Sequence, residues 1–132
     1  MRTEVDFPSK IENISIAENL IDNISSEYKL STEIYGNILV AIIEAVNNAI
    51  LHGNKLDPDK NVFLSYVVDN KVLSFIIRDE GGGFDFDNVP DPTSEENIEK
   101  PHGRGIFLMK HLADDISFDE NGSAVELKFN LV

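Results

Sequence analysis

The sequence contains no cysteine, and this absence excludes several kinds of site at once. Without cysteine there can be no disulfide bond, no zinc site built on thiolates and no thiol nucleophile. The composition is compatible with a reducing cytosol, and a cytoplasmic location is what we expect.

Long apolar segments are also missing. The first residues, Met1–Asp6, include no apolar stretch of the kind that a signal peptide needs, so none is predicted. The longest apolar run near the centre, Ile38–Ile43, is far shorter than a membrane span. We therefore expect no membrane partner.

Basic residues are few: 11 lysines and arginines stand against 24 aspartates and glutamates, for a net charge of −13. An acidic protein repels DNA and RNA unless a local basic patch overrides its field, and the sequence offers no such patch. Most of the charge is accounted for by solubility. The rest favours cationic ligands such as magnesium, or a basic protein surface, so we expect a protein partner and no nucleic acid.

What is present suits one folded domain. The chain has 132 residues, of which 42% are hydrophobic, enough for one core. There is no internal repeat and no low-complexity tract. We therefore predict a single domain over residues 1–132.

The hydrophobic pattern predicts elements in the order β-α-α-β-β-loop-α-β-β. Helices are expected at about 10–28, from a cap at Ser31 or Thr32 to a stop at Gly53, and at 105–112. Strands are expected at 3–7, 62–68, 72–78, 116–118 and 125–131, with tight turns at Asp69-Asn70 and Asn121-Gly122. This order predicts an α/β two-layer sandwich, with helices on one face of a mixed, mainly antiparallel sheet.

Residues 80–102 interrupt this pattern with glycines, three prolines and several acidic residues. A loop of that length within a compact domain is usually functional and is often a lid. We therefore predict that residues 84–102 form a mobile lid.

Two polar residues on the second predicted helix are spaced for joint action. Glu44 and Asn48 lie at i and i+4, which places them on one helix face. Asn48 offers a neutral oxygen suited to one vertex of a Mg²⁺ site, although an asparagine inside a helix can also bond to the backbone. Glu44 can orient or accept a proton, although glutamates on helices are more often simply exposed. The residues around Glu44 in the sequence are apolar, and this favours a position for its side chain in a pocket and not on an exposed helix face.

A second cluster follows the strand 72–78. An aspartate at position 79 accepts hydrogen bonds and can therefore select adenine, whose exocyclic amine is a donor where guanine has an acceptor. Gly81 and Gly83 permit close approach of the backbone to a ligand. An exposed turn would explain the same residues.

A third cluster, Gly103-Arg104-Gly105, opens the last predicted helix, whose first amides and dipole attract phosphate. Arg104 can add positive charge there or lie on the surface. His52 stands near a helix C-terminus, where the helix dipole favours a cation, so we expect a structural role for it.

Taken together, Glu44-x-x-x-Asn48-Ala49, Asp79-x-Gly81-x-Gly83 and Gly103-Arg104-Gly105 resemble the N, G1 and G2 boxes of the histidine-kinase-like ATPase superfamily, the Bergerat fold. Within it, Glu44–Gly53 and Gly103–Met109 look most like the bacterial anti-sigma-factor serine kinases. The resemblance extends from about Phe7 to Phe129. It implies a Bergerat ATP-binding fold with an ATP lid.

The resemblance also implies roles for individual residues. ATP or ADP would bind with Mg²⁺, with Asn48 as the metal ligand and Glu44 as the catalytic residue. The nucleotide-binding residues would be Asn48, Asp79, Gly81, Gly83, Gly103, Arg104, Gly105 and Ser123. Ser123 matches a place where the family often has a small hydroxyl near the adenine.

The implied function is a serine/threonine protein kinase that acts as an anti-sigma factor in partner switching. It would phosphorylate a serine on a small antagonist protein and bind a sigma factor, the antagonist or both; a homodimer is compatible with this. For a chain of 132 residues, we expect neither the dimerisation hairpin of a sensor kinase nor a second domain that supplies a lysine. Two alternatives stay open: a nucleotide-gated binding module, or a regulatory ATPase without phosphotransfer.

Overall fold

A five-stranded antiparallel sheet forms one layer of the structure, a computed structural model that describes residues 2–81, 101–119 and 122–131, with the backbone alone for 101–104. Its strands are β1 (Thr3–Pro8), β2 (Asn61–Asp69), β3 (Val72–Arg78), β4 (Asp115–Asp119) and β5 (Ala124–Asn130). Their order across the sheet is β1-β2-β3-β5-β4, and each neighbouring pair is antiparallel. The predicted fold class is confirmed.

In the described part of the chain, the second layer consists of three α-helices: α1 (Ile14–Tyr28), α2 (Thr32–Asn48) and α3 (Pro101–Leu112). A 3₁₀ turn, Ile11–Asn13, precedes α1, and a left-handed Lys29 ends it. Ser31 caps α2 by accepting a hydrogen bond from the amide of Ile34 at 3.2 Å, as predicted.

The core lies between the helices and one face of the sheet, because both contribute apolar side chains at their own period. Ile21 and Ile24 of α1 and Ile38 and Ile42 of α2 are buried at helical spacing. Alternate strand residues are buried with them, namely Phe7, Val62, Leu64, Leu73, Phe75, Ile77, Val125, Leu127 and Phe129.

Helix α2 continues without a break into a π-helical turn, Ala49–Gly53. Together they make Thr32–Gly53, the one helical stretch in the described residues that is long and apolar enough to cross a bilayer. In this fold the stretch buries Ile38, Ile42 and Val46 in the core. The core helices of soluble proteins commonly meet the same criterion of length and composition.

The predicted strand boundaries lie within one residue of the structure, whereas α1 begins at Ile14, after the 3₁₀ turn, and not at about residue 10. The β2–β3 turn is Asn70-Lys71, one residue later than predicted, because Asp69 still pairs with Val72. Helix α3 begins at Pro101 and not at Gly105, in keeping with the preference of proline for a first helical turn. The predicted lid, 84–102, lies outside the described residues except for 101 and 102, which begin α3.

The Asn70-Lys71 turn yields a prediction about stability. Both residues have positive φ, 51° and 63°, as a type I′ hairpin turn requires, and glycine is favoured at the second position. Lys71→Gly should raise the free energy of unfolding by about 0.5–1 kcal/mol, since it removes a left-handed side chain. Urea denaturation measures this. Lys110→Gly, the same change inside α3, should lower stability by about 1 kcal/mol; equal signs for the two variants would contradict the explanation.

Candidate nucleotide-binding site

The site begins where α2 and α3 approach each other. At Gly105 of α3, a Cβ atom would lie 2.9 Å from Oε2 of Glu44 and 3.3 Å from Nδ2 of Asn48. The two α2 side chains therefore meet at one point, over a position that has no side chain of its own. A larger residue than glycine would displace them.

The side-chain amide of Asn48 is the unusual polar group here. Its Nδ2 atom is buried and has no hydrogen-bond partner among the residues that the structure describes. A buried amide without a partner costs about 1–3 kcal/mol, so its presence points to a ligand. Its oxygen lies 3.5 Å from the same Gly105 position, and rotation of the amide exchanges the two atoms.

A magnesium ion fits this amide only if other ligands come from the nucleotide. No group of three or more histidine, aspartate or glutamate side chains that could hold a metal occurs in the described part of the chain. Mg²⁺ commonly takes one or two protein oxygens and completes its shell with phosphate oxygens and waters. A single neutral oxygen from Asn48 suits that arrangement.

The π-helical turn after Asn48 shifts the next residues round the helix axis. Such turns contain one residue more per turn than an α-helix and are frequent at functional sites. Here the turn brings His52 and Gly53 to the cleft. Sequence patterning did not predict it.

Burial lowers the pKa of His52 below its usual 6.5, which disfavours the cationic form at the helix end. The physical cause is desolvation, which penalises the charged imidazolium relative to the neutral ring. Because the pKa of His52 is lower in the folded protein, the unfolded chain binds a proton at this residue more readily. The free energy of unfolding should therefore fall as the pH drops below the pKa that His52 has in the unfolded chain.

Asp79 follows β3 and is held by backbone contacts. Its amide donates to the carbonyl of Ser123 at 2.9 Å, and its Oδ1 accepts from the amide of Gly81 at 2.8 Å. A Cβ atom on Gly53 would overlap the Asp79 carboxylate, and one on Gly81 would overlap the carbonyl oxygen of Gly53. The carboxylate is thus fixed between two glycines.

These elements enclose a cleft of about 560 Å³, part of it open to solvent. Polar groups from three elements face it, those of Asn48, His52, Asp79 and Ser123. Its other walls are apolar, including Ala49, Ile77, Ile106, Met109, Phe118 and Val125. A mostly apolar cleft with a few fixed polar groups is typical of small-molecule sites and suits a flat base.

The predicted site residues differ in where they lie. Asn48, Asp79 and Ser123 line the cleft. Gly81 and Gly105 approach the lining residues Asp79 and Asn48, and Glu44 approaches Gly105. Gly103 and Arg104 belong to the first turn of α3, where only the backbone is described. Gly83 lies outside the described residues.

Sequence reasoning assigned no site role to His52 and Gly53, which line the cleft, or to Asn54, which bonds to the amide of Glu80. Gly53 was interpreted as a helix stop and as the end of the Glu44–Gly53 segment, and it also makes room for the Asp79 carboxylate. Asn54 carried no signal in the sequence, because its partners are distant along the chain.

Comparison with known proteins gives a consistent result. The histidine kinase-like ATPase domain family matches residues 7–129. An anti-sigma F factor from Geobacillus thermodenitrificans is 29% identical over 136 residues, covering 97% of this chain and 92% of the relative. The serine-protein kinase RsbW of Listeria monocytogenes is 26% identical over 133 residues, covering 95% and 85%.

Two solved structures share the fold. A structure of the RsbU and RsbW domains of Rv1364c from Mycobacterium tuberculosis superposes with a TM-score of 0.69 at 15% identity. The match covers 99% of this chain and 32% of that one, about a third of its length. The histidine kinase domain from Erythrobacter litoralis EL346 gives a TM-score of 0.56 at 16% identity, covering 94% and 61%.

Proposed function

The chain belongs to the histidine kinase-like ATPase domain family, and from this we propose that it is an ATP-dependent serine/threonine protein kinase acting as an anti-sigma factor. Its substrate would be a serine on a small antagonist protein, as expected of a partner-switching regulator. Curated relatives over most of the chain are named anti-sigma F factor and serine-protein kinase RsbW, which supports this proposal.

One observation carries the proposal: Glu44, Asn48 and Gly105 meet at one point beside a cleft that also contains Asp79. This arrangement offers a carboxylate, a neutral oxygen and a close backbone approach within one small region. Phosphoryl transfer depends mainly on positioning and on neutralising charge, so these are the groups that it needs.

At the adenine end, the proposed reader of the base is Asp79. Its carboxylate would accept a hydrogen bond from the exocyclic amine, and the apolar walls would hold the ring. Ser123 lies beside it in the cleft. Guanine would leave the carboxylate opposite an acceptor, so ATP and ADP should bind more tightly than GTP and GDP.

At the phosphate end, we assign Mg²⁺ to Asn48. When bound, the ion would neutralise charge on the phosphate oxygens. Gly81, Gly83, Gly103 and Gly105 would allow backbone amides to approach the phosphates, and Arg104 would add positive charge. The first turn of α3 presents amides of the kind that bind phosphate.

Glu44 is the proposed catalytic residue. Its carboxylate would orient the serine hydroxyl of the antagonist and take its proton. The serine oxygen would then bond to the γ-phosphorus as the bond to the β,γ-bridging oxygen breaks, leaving ADP. Glu44 and Asn48 are one helical turn apart on α2. The helix would therefore hold the proposed base and the proposed Mg²⁺ ligand at a fixed separation.

Radiolabelled ATP tests the proposed reaction. The protein is incubated with ATP labelled in the γ-phosphate and a purified candidate antagonist. Label on a serine of the antagonist supports the kinase. Label released as inorganic phosphate supports a regulatory ATPase. If the label stays on ATP while the antagonist remains bound to the protein, the result supports a nucleotide-gated binding module.

Asn48→Ala tests the magnesium assignment. The variant should lose the increase in ATP affinity that Mg²⁺ gives to the wild type, on the order of tenfold or more for one contact to a charged group. Calorimetry with and without EDTA measures it. The matched control is Asn47→Ala, also on α2 but not lining the cleft. A magnesium effect of unchanged size in Asn48→Ala would contradict the assignment.

The partners follow from charge and from the relatives. At a net charge of −13, the chain suits a basic protein surface better than nucleic acid. We propose that it binds a sigma factor and an antagonist, in the cytoplasm, as a single domain that can form homodimers.

A further inference from the structure

We propose that Asn54 is a positioning residue that fixes the loop carrying Asp79 against the end of α2 and so determines adenine affinity. This inference rests on the proposed nucleotide site and adds to it a residue outside the three motifs. Asn54 does not line the cleft, so its effect would be exerted through its neighbours.

The side chain of Asn54 is only 1% exposed, yet its amide has partners on three sides. Nδ2 donates to Oγ of Ser9 at 2.7 Å and to the carbonyl of Asn61 at 3.0 Å. Oδ1 accepts from the amide of Glu80 at 2.8 Å. A buried amide bonded at both ends holds its surroundings in one arrangement.

These bonds join the two halves of the adenine site. Asn54 directly follows the π-helical turn, and its backbone N–H donates to the carbonyl of Ala49 at 2.8 Å. Glu80 directly follows Asp79. The hydrogen bond from the Glu80 amide to Oδ1 of Asn54 therefore sets the distance between the end of the π-helical turn and the loop that carries Asp79.

That distance has little tolerance, because Gly53 contacts the Asp79 carboxylate and Gly81 contacts the Gly53 carbonyl. The neighbouring Glu80 is also held by its carboxylate, which accepts from the amide of Asn61 at 2.6 Å. A small shift of the helix end would move the Asp79 carboxylate, and misplacement by about 1 Å can weaken a precise interaction greatly.

The backbone after Asn54 supports the same conclusion. Lys55 and Leu56 both lie in the left-handed region, with φ of 53° and 61°, although neither is glycine. Such conformations persist when the surroundings determine them, and they cluster near functional sites. The buried bonds of Asn54 provide that constraint at the start of the turn.

A double-mutant cycle tests the proposal. ADP dissociation constants are measured by calorimetry for wild type, Asn54→Ala, Asp79→Asn and the double variant. We expect Asn54→Ala to weaken ADP about tenfold and the double variant to be no weaker than Asp79→Asn, because Asn54 acts through Asp79. Wild-type affinity in Asn54→Ala, or effects that multiply in the double variant, would overturn it.

Two matched variants separate positioning from stability. Ser9→Ala removes one partner of Nδ2 but leaves the bond from Glu80, and Ile21→Val disturbs the core in α1 away from the cleft. Both should lower the melting temperature and keep ADP affinity within about twofold of wild type. If ADP affinity falls in step with melting temperature across all the variants, the role is structural and the proposal is wrong.

Amide exchange in the wild type provides a test that does not depend on the folding of any variant. The Glu80 amide should exchange as slowly as that of Asp79, whose partner is a backbone carbonyl. Rapid exchange at Glu80 would overturn the inference. If wild type binds ADP and GDP equally weakly, the proposed function fails and the inference with it, whereas failure only in the cycle concerns Asn54 alone.

Discussion

Glu44→Gln should retain ATP binding and lose phosphoryl transfer by on the order of a hundredfold or more, the usual size of a general base's contribution. Glutamine has nearly the shape of glutamate but cannot accept the serine proton. Because Glu44 lies beside Gly105 and not among the residues that line the cleft, the change should leave the adenine end intact. Single-turnover transfer of γ-phosphate measures the rate, and calorimetry measures ATP affinity.

The control for this variant is Glu33→Gln, in the first turn of the same helix and exposed. It makes the same chemical change far from the site, so its transfer rate should equal that of the wild type. Equal rates for Glu44→Gln and wild type would exclude Glu44 as the base. Loss of ATP affinity would instead indicate a role in binding.

Gly81→Ala should weaken ADP binding about a hundredfold, although it adds only one methyl group. That methyl would overlap the carbonyl oxygen of Gly53, which is backbone and cannot move aside cheaply. The loop must therefore shift, and Asp79, whose Oδ1 accepts from the Gly81 amide, must shift with it. A displacement of about 1 Å at a precisely positioned group can cost this much.

Gly36→Ala is the matched control, since a Cβ atom there meets nothing within 4 Å. Gly36 lies inside α2, where alanine is the better helix former, so unfolding free energy should rise by about 0.5–1 kcal/mol with unchanged ADP affinity. Thermal denaturation and calorimetry give both quantities. Normal ADP affinity in Gly81→Ala would contradict the close contact between Gly81 and the end of the π-helical turn.

Local pattern was sufficient for most of the fold. Helix periodicity, the Ser31 cap and strand alternation predicted each helix and strand that the structure describes in the right order, because burial on one face enforces those periods. The β2–β3 turn was misplaced by one residue, since Asn70-Lys71 lacks the glycine that usually marks such a turn.

The candidate site was only partly predictable. Motif spacing identified Asn48 and Asp79, which the structure brings into one cleft. The π-helical turn at Ala49–Gly53 was not predicted, because the helical spacing of apolar residues carries α2 on to Gly53 without marking the change. The contacts of Asn54 depend on Ser9 and Glu80, which lie 45 and 26 positions away, and no local pattern encodes such pairs.

The topology of the sheet also constrains when the site can form. Asp79 follows β3, and its amide bonds to Ser123, just before β5, so the cleft depends on the pairing of Arg78 with Ala124. Contacts so distant along the chain form slowly, after loop closure has been paid for in entropy. Nucleotide binding therefore selects molecules in which β5 has joined the sheet. By mass action, a nucleotide that binds only the assembled cleft stabilises this joined state, and does so more as its concentration rises.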